Sequence, residues 1–107
     1  MDRLTPGDKL AAILSALDSP HRLRIVATLK AGGRNYVSRL AREIGISRPL
    51  LHLHLNKLEE AGLVTSQLEL SADGKALNYY EVAPFHVEIT PETIAEVAGS
   101  LTGKTEK

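Results

Sequence analysis

The feature that most constrains this chain is a change of period at Gly62. Before it, two short apolar repeats of helical spacing are separated only by Gly45-Ile46-Ser47. In the first, Val37, Leu40, Ala41 and Ile44 fall at i, i+3, i+4 and i+7, and Gly45 is suited to a left-handed C-terminal cap. In the second, Ser47 can cap a helix, Pro49 falls in its first turn, and Gly62 closes it after Ala61. From Leu63 the side chains alternate: Val64, Ser66, Leu68 and Leu70 against Leu63, Thr65, Gln67 and Glu69. Asp73-Gly74 then marks a tight hairpin, and Ala76–Val82 reads as the returning strand. Two helices joined by a short turn and followed at once by a hairpin predict a helix-turn-helix with a wing.

The flanks carry their own signals. Thr5-Pro6-Gly7-Asp8 opens a helix with a threonine cap, a proline at the first position and an acid where a capping box needs one. Leu10, Ile13, Leu14 and Leu17 form its stripe. Asp18-Ser19-Pro20 restarts the pattern; Leu23, Val26 and Leu29, with Ile25, predict the buried face of a second helix ending at Gly32-Gly33. Phe85–Ile89 reads as a short extended piece. Thr90-Pro91 starts a last helix with Ile94, Val97 and Leu101 as its apolar positions. The expected architecture is mainly α with a β-hairpin wing (α+β), about five helices and a two- or three-stranded antiparallel sheet. It is a single domain over 1–107, with terminal helices at 6–17 and 91–101, the helix-turn-helix at 37–61, the wing at 63–83 and a frayed tail at 102–107.

Composition narrows the function. The chain has 107 residues, no cysteine and a formal net charge of zero. Disulfides, thiolate metal sites and thiol redox sensing are excluded. The start of the chain is not that of a secretory signal, and no apolar run approaches the ~20 residues of a membrane helix. A cytoplasmic, nucleoid-associated protein is expected. There is no Gly-rich phosphate loop and no Gly-x-Ser-x-Gly elbow, so an enzyme is not expected, nor any cofactor. The zero net charge conceals a segregation. Arg22, Arg24, Lys30, Arg34, Arg39, Arg42, Arg48 and Lys57 lie between His21 and Lys57 with one acid, Glu43. Such a segment can make a local positive field without a basic chain, although a solvated helix face would look the same.

Angular position decides more than charge. At ~100° per residue, Leu51, Leu55 and Leu58 share the inward face of the second helix of the motif. Pro49, His52, Leu53, Asn56, Lys57 and Glu60 fall across the opposite half, the side a major groove would meet. Arg48 stands at the helix start, within reach of a guanine edge or a phosphate, and the N–H groups around Ser47 suit a phosphate. Leu53 is the oddity: an ordinary exposed leucine, or a contact to a thymine methyl.

Leu23-Arg24-Ile25-Val26, Leu40–Ser47, Pro49, His54–Val64 and Asp73-Gly74-Lys75 with Tyr79-Tyr80 resemble the arsenical-resistance repressor (ArsR) superfamily. The resemblance covers roughly Leu10 to Val82. It implies a dimeric bacterial or archaeal regulator that reads double-stranded DNA with the helix from Ser47. By the same resemblance the wing around Lys75 touches the DNA backbone or minor groove, and the first and last helices pair two copies. Ser47, Arg48, Leu50, His52 and Leu53 take the base-facing positions, with Leu50 less exposed by angle; the family usually has polar residues where Leu50 and Leu53 stand. His54 matches a family histidine near the inward face and reads as packed and hydrogen-bonded. The DNA-contacting set is thus Arg39, Arg42, Ser47, Arg48, Pro49, Leu50, His52, Leu53, Asn56, Lys57 and Lys75.

Metal sensing, known in the family, is not supported. The cysteine cluster of thiolate sensors is absent, the last helix has Glu92 and Glu96 but no histidine, and His52 and His54 point ~200° apart on a helix. The dimer set is Leu10, Ile13, Leu14, Leu17, Ile94, Val97 and Leu101; the alternative is that both stripes cover the domain's own core. A homodimer on an inverted repeat is expected, a winged-helix protein-interaction module or a non-specific architectural DNA protein being the rivals. A small-molecule effector of unidentified chemistry is left open.

Overall fold

The computed structural model describes residues 4–103, so residues 1–3 and most of the tail expected to fray lie outside the described residues. The order is α1 (Pro6–Leu17), α2 (Pro20–Gly32), β1 (Asn35–Tyr36), α3 (Val37–Ile44), α4 (Arg48–Glu60), β2 (Val64–Leu70), β3 (Ala76–Val82) and α5 (Pro91–Ala98). Five helices and a three-stranded antiparallel sheet make the winged α+β fold that the period change predicts.

Four helices start on one device, a hydroxyl cap with a proline in the first turn. The Thr5 side chain accepts from Asp8 N–H, Ser19 from Arg22 N–H and Ser47 from Leu50 N–H. At α5 the box is reciprocal: Thr90 and Thr93 each accept the other's backbone N–H, at 3.0 and 2.9 Å. The exception is α3, whose cap, Tyr36, gives no side-chain bond. Its start is held by β1, where Asn35 and Tyr36 pair with Tyr80 and Tyr79. This is the third strand of the sheet, which runs β1-β3-β2, and it comes from before the helix-turn-helix, not from Phe85–Ile89. Val64 pairs with Val82 and Leu70 with Ala76, and Ser71–Lys75 turns between them.

The core is one cluster. Ile25, Leu29, Leu40, Leu51, Leu55, Leu58, Leu63 and Val64 are fully buried, with Ala16, Ala41 and Tyr80 beside them. Each large aliphatic residue contributes about 1.5–3 kcal/mol. Here α2 departs from the sequence reading: Ile25 and Leu29 are its buried face, whereas Leu23 is 53% exposed. An angle of ~100° per residue puts Leu23 about 160° from Ile25 by the shorter way round. A helix with apolar residues on both sides must choose one, and the core took Ile25.

The C-terminal end also differs. The last helix stops at Ala98, three residues short of the expected 101. Ser100 N–H turns back to the Val97 carbonyl and Leu101 N–H to Ala98, a tightened last turn that ends the helix. Thr102, placed in a frayed tail by the sequence, is tied down: its N–H and hydroxyl donate to the Asp8 carboxylate at 3.0 and 2.5 Å. Asp8 therefore does not close the capping box expected of it. Beside it, Gly7 N–H donates to the Ser100 hydroxyl at 2.7 Å. A Cβ at Gly7 would stand 2.5 Å from the Val97 carbonyl oxygen, so only glycine lets α5 approach α1 this closely.

Candidate nucleic-acid interface

The turn between α3 and α4 fixes the angle at which α4 leaves the core. Gly45 sits at φ 85°, the left-handed region, and its N–H closes on the Ala41 carbonyl at 2.8 Å. Ser47 then restarts the chain as a helix. From there the angular reading holds: Leu51, Leu55 and Leu58 are fully buried, while Arg48, Pro49, Leu50, His52, Leu53, Asn56, Lys57 and Glu60 are exposed. Leu53 is 64% exposed, near the centre of the outward face.

The flanks of that face are defined by contacts. On one side, the Ser66 hydroxyl donates to the Glu59 carboxylate at 2.7 Å, seating the C-terminal turn of α4 against β2. Leu68 and Leu70, exposed at 68% and 75%, continue along the same side of β2 as Ser66. On the other side, Lys57 and Glu60 line a shallow groove with Ala12, Ser15 and Ala16 of α1. Lys57 thus lies at the α1 edge of the face and His52 toward the wing. Lys75 is exposed at the wing turn, where its backbone N–H is held by Ser71 at 3.1 Å. Asp73 accepts from Ser71 and from Lys75 N–H, and these bonds hold its carboxyl below the usual range.

The basic segment divides once the contacts are known. Arg42, Arg48 and Lys57 are exposed and engage no acid among the described residues. Arg39, also exposed, pairs with Glu43 one turn on at 3.1 Å. Two other arginines serve the fold. Arg34 grips Glu69 with both guanidinium nitrogens, at 2.5 and 2.8 Å, and lies 4.3 Å over the Tyr79 ring, tying β1 to the wing. The same bond lowers the Glu69 pKa. Arg22 is turned inward: its Nε donates to the Ala16 carbonyl at 2.6 Å, and its Nη1 lies 3.1 Å from His54 Nδ1. Neither role has a sequence signal, because both partners are distant in the chain.

His54 is the packed histidine the sequence reading anticipates. A guanidinium only donates, so Nδ1 accepts and the imidazole proton is assigned to Nε2. Nε2 is buried and finds no partner among the described residues; the same is true of His21 Nδ1, whose ring lies 5.3 Å from that of His54. Burial, then the Arg22 charge, then His21 push the His54 pKa below its ordinary value. Among the described residues no group of three or more His, Asp or Glu side chains could hold a metal ion. No helix among them is long and apolar enough to cross a membrane.

The seven apolar residues expected to pair two copies fall into two sets. Ile13 and Leu17 pack on the domain's own core. Leu10, Leu14, Ile94, Val97 and Leu101 instead line a groove of about 170 Å³ between α1 and α5, completed by Gly7, Ala11 and Ala98. A stripe wider than one helix face cannot all point one way.

Comparison with known proteins agrees with this geometry. The helix-turn-helix domain family matches residues 17–67. An uncharacterized HTH-type transcriptional regulator of Methanocaldococcus jannaschii is 37% identical over 82 residues, 77% of this chain and 84% of that protein. The chain belongs to the ArsR-like winged helix-turn-helix transcriptional regulators. Two solved structures extend the likeness of this regulator to its whole fold. One is a homodimeric winged helix-turn-helix DNA-binding domain from Mycobacterium bovis, described as a possible ArsR-family regulator. It has a TM-score of 0.63 and 26% identity over 86% of this regulator and 73% of that chain. The other is the transcriptional repressor BigR of Xylella fastidiosa, with a TM-score of 0.59 and 26% identity over 85% and 78%. Fold and relatives place the regulator among DNA-binding proteins and not among enzymes.

Proposed function

We propose that this regulator binds an inverted-repeat operator as a homodimer, laying α4 of each protomer into successive major grooves about one helical turn apart. The carrying observation is the outward face of α4, which leaves Arg48, His52, Leu53 and Asn56 exposed while three leucines anchor the helix behind them. Arg48 and Asn56 are the base-reading candidates, as guanine and adenine edges favour those side chains. Leu53 reads a thymine methyl. Arg39, Arg42, Lys57 and Lys75 contact phosphates, and Ser47 presents the helix N-terminus to another. Pro49 and Leu50 shape the first turn. The dimer forms through the α1/α5 groove of Leu10, Leu14, Ile94, Val97 and Leu101. The homodimeric relative supports this reading, and so does the shape of the chain. Its radius of gyration is 16.1 Å. A compact chain of this length has about 13 Å, so this is a protomer with projecting arms.

Selection from a random duplex library at low and moderate salt tests the proposal. An enriched inverted repeat with half-sites about one turn apart is the expected outcome. Salt-sensitive binding without enrichment would replace it with an architectural role, and no binding at either salt would favour a protein-interaction wing.

A further inference from the structure

Arg22 stands where the helix bearing the dimer groove meets the helix that reads DNA. Its guanidinium donates to two carbonyls at the end of α1, Ala16 at 2.6 Å and Ser15 at 3.5 Å, and to Nδ1 of His54 on α4 at 3.1 Å. Both carbonyls lie in the last turn of α1, where Ser15 already accepts the Asp18 N–H at 3.3 Å, and a cation at a helix C-terminus is favoured. One side chain therefore holds α1 and α4 at a fixed relation. In a dimer built on α1, that relation sets the separation of the two recognition helices.

The α4 end of this contact depends on one lone pair. His54 can accept from Arg22 only while Nδ1 is unprotonated; a proton there turns the contact into donor against donor, with like charges facing each other. No other acceptor among the described residues meets either ring's orphaned nitrogen. The charged and titratable groups acting on His54 are Arg22 and His21, both on α2. From α1 the cluster receives the Ser15 and Ala16 carbonyls. No carboxylate acts on His54 to stabilise an imidazolium.

We propose that Arg22 is a positioning residue joining the dimer helix to the recognition helix, and that protonation of His54 opens this joint and weakens operator binding. The inference rests on the DNA-reading function proposed above, and it makes acid a signal the regulator can answer. Burial and Arg22 hold His54 neutral at neutral pH, so the opening lies on the acid side of the ordinary histidine value.

The test has two arms, both on the full chain. In the first, histidine ring nitrogens and backbone amides are followed by NMR in free protein from about pH 8 to about 5. His54 should begin as the Nε2–H tautomer, and its titration should move the amides of the α1 end and of α4 together. If His54 titrates while both sets stay in place, there is no joint. In the second, binding to the selected operator is measured over the same range for wild type, His54→Gln and His52→Gln. Wild-type affinity should fall in acid by roughly tenfold. The glutamine of His54→Gln keeps an acceptor for Arg22 without titrating, so that variant should lose the acid response. His52 lies exposed on the reading face; its replacement alters that surface but not the Arg22–His54 contact, and should leave the acid loss intact. A wild-type pH profile in His54→Gln would overturn the proposal. Absence of operator binding at every pH would refute the DNA-reading function instead, with the first arm still deciding the joint.

Discussion

Leu53 and Arg48 separate what angle reveals from what chemistry must decide. Both are exposed on α4, Leu53 near the centre of the outward face and Arg48 at the helix start. Replacing Leu53 by Asn should change the preferred base at one position of each half-site while leaving affinity for random duplex almost unchanged. Re-selecting the library with the variant checks this. Arg48→Ala should weaken specific binding by about 1–3 kcal/mol with little effect on random DNA; equal losses on both would make Arg48 a phosphate contact. Acid stability is also set residue by residue. Arg34 lowers the Glu69 pKa, and Thr102 that of Asp8. A depressed carboxylate contributes stability that is present above its unfolded value and lost as pH falls through the lowered one. The thermal midpoint should therefore drop in strong acid, below the ordinary 4.5 of Glu and 3.8 of Asp, and Glu69→Gln should shrink that drop. The exposure of Leu53 and Asn56 was legible because it follows from period alone. The inward turn of Arg22 was not, since its partners, Ala16 and His54, are joined to it only by tertiary packing.

Elements that start on a capped proline were legible to within a residue or two, because the cap chemistry is local. Elements whose bounds depend on a distant neighbour were not. β1 exists because Tyr79 and Tyr80 offer it partners, and α5 ends early because its last turn tightens where it meets α1. The face chosen by α2 was misjudged for the same reason: Leu23 and Ile25 are equally apolar, and only packing against α4 and the sheet distinguishes them. Two substitutions probe elements as units. Leu55→Ala empties a fully buried position behind the recognition helix and should cost about 2–5 kcal/mol, read from the urea midpoint. Gly7→Ala places a methyl against the Val97 carbonyl and the Ser100 hydroxyl and should push α5 away from α1. Overpacking of this kind costs about 1–3 kcal/mol. Sedimentation should show a weakened dimer, with the circular dichroism of the remaining helices preserved.

The whole molecule measures 53 × 29 × 26 Å, with charges of both signs in equal number, and Arg42, Arg48, Lys57 and Lys75 are exposed with no acid engaged among the described residues. If Arg39, Arg42, Lys57 and Lys75 of each protomer meet one phosphate apiece, the logarithm of the binding constant should fall against the logarithm of salt with a slope of about −7. Titration at several salt concentrations measures it, and a slope near half that value would indicate one protomer per site. The closure of α5 on α1 has a consequence in time. Gly7 bonds to Ser100 and Asp8 to Thr102, pairs separated by 93 and 94 residues of chain. Synthesis runs from the N-terminus, so the residues of α3 and α4 join the chain before those of α5. The surface by which two copies would meet is thus finished last, so each newly made chain carries its DNA-reading half before it can find a partner.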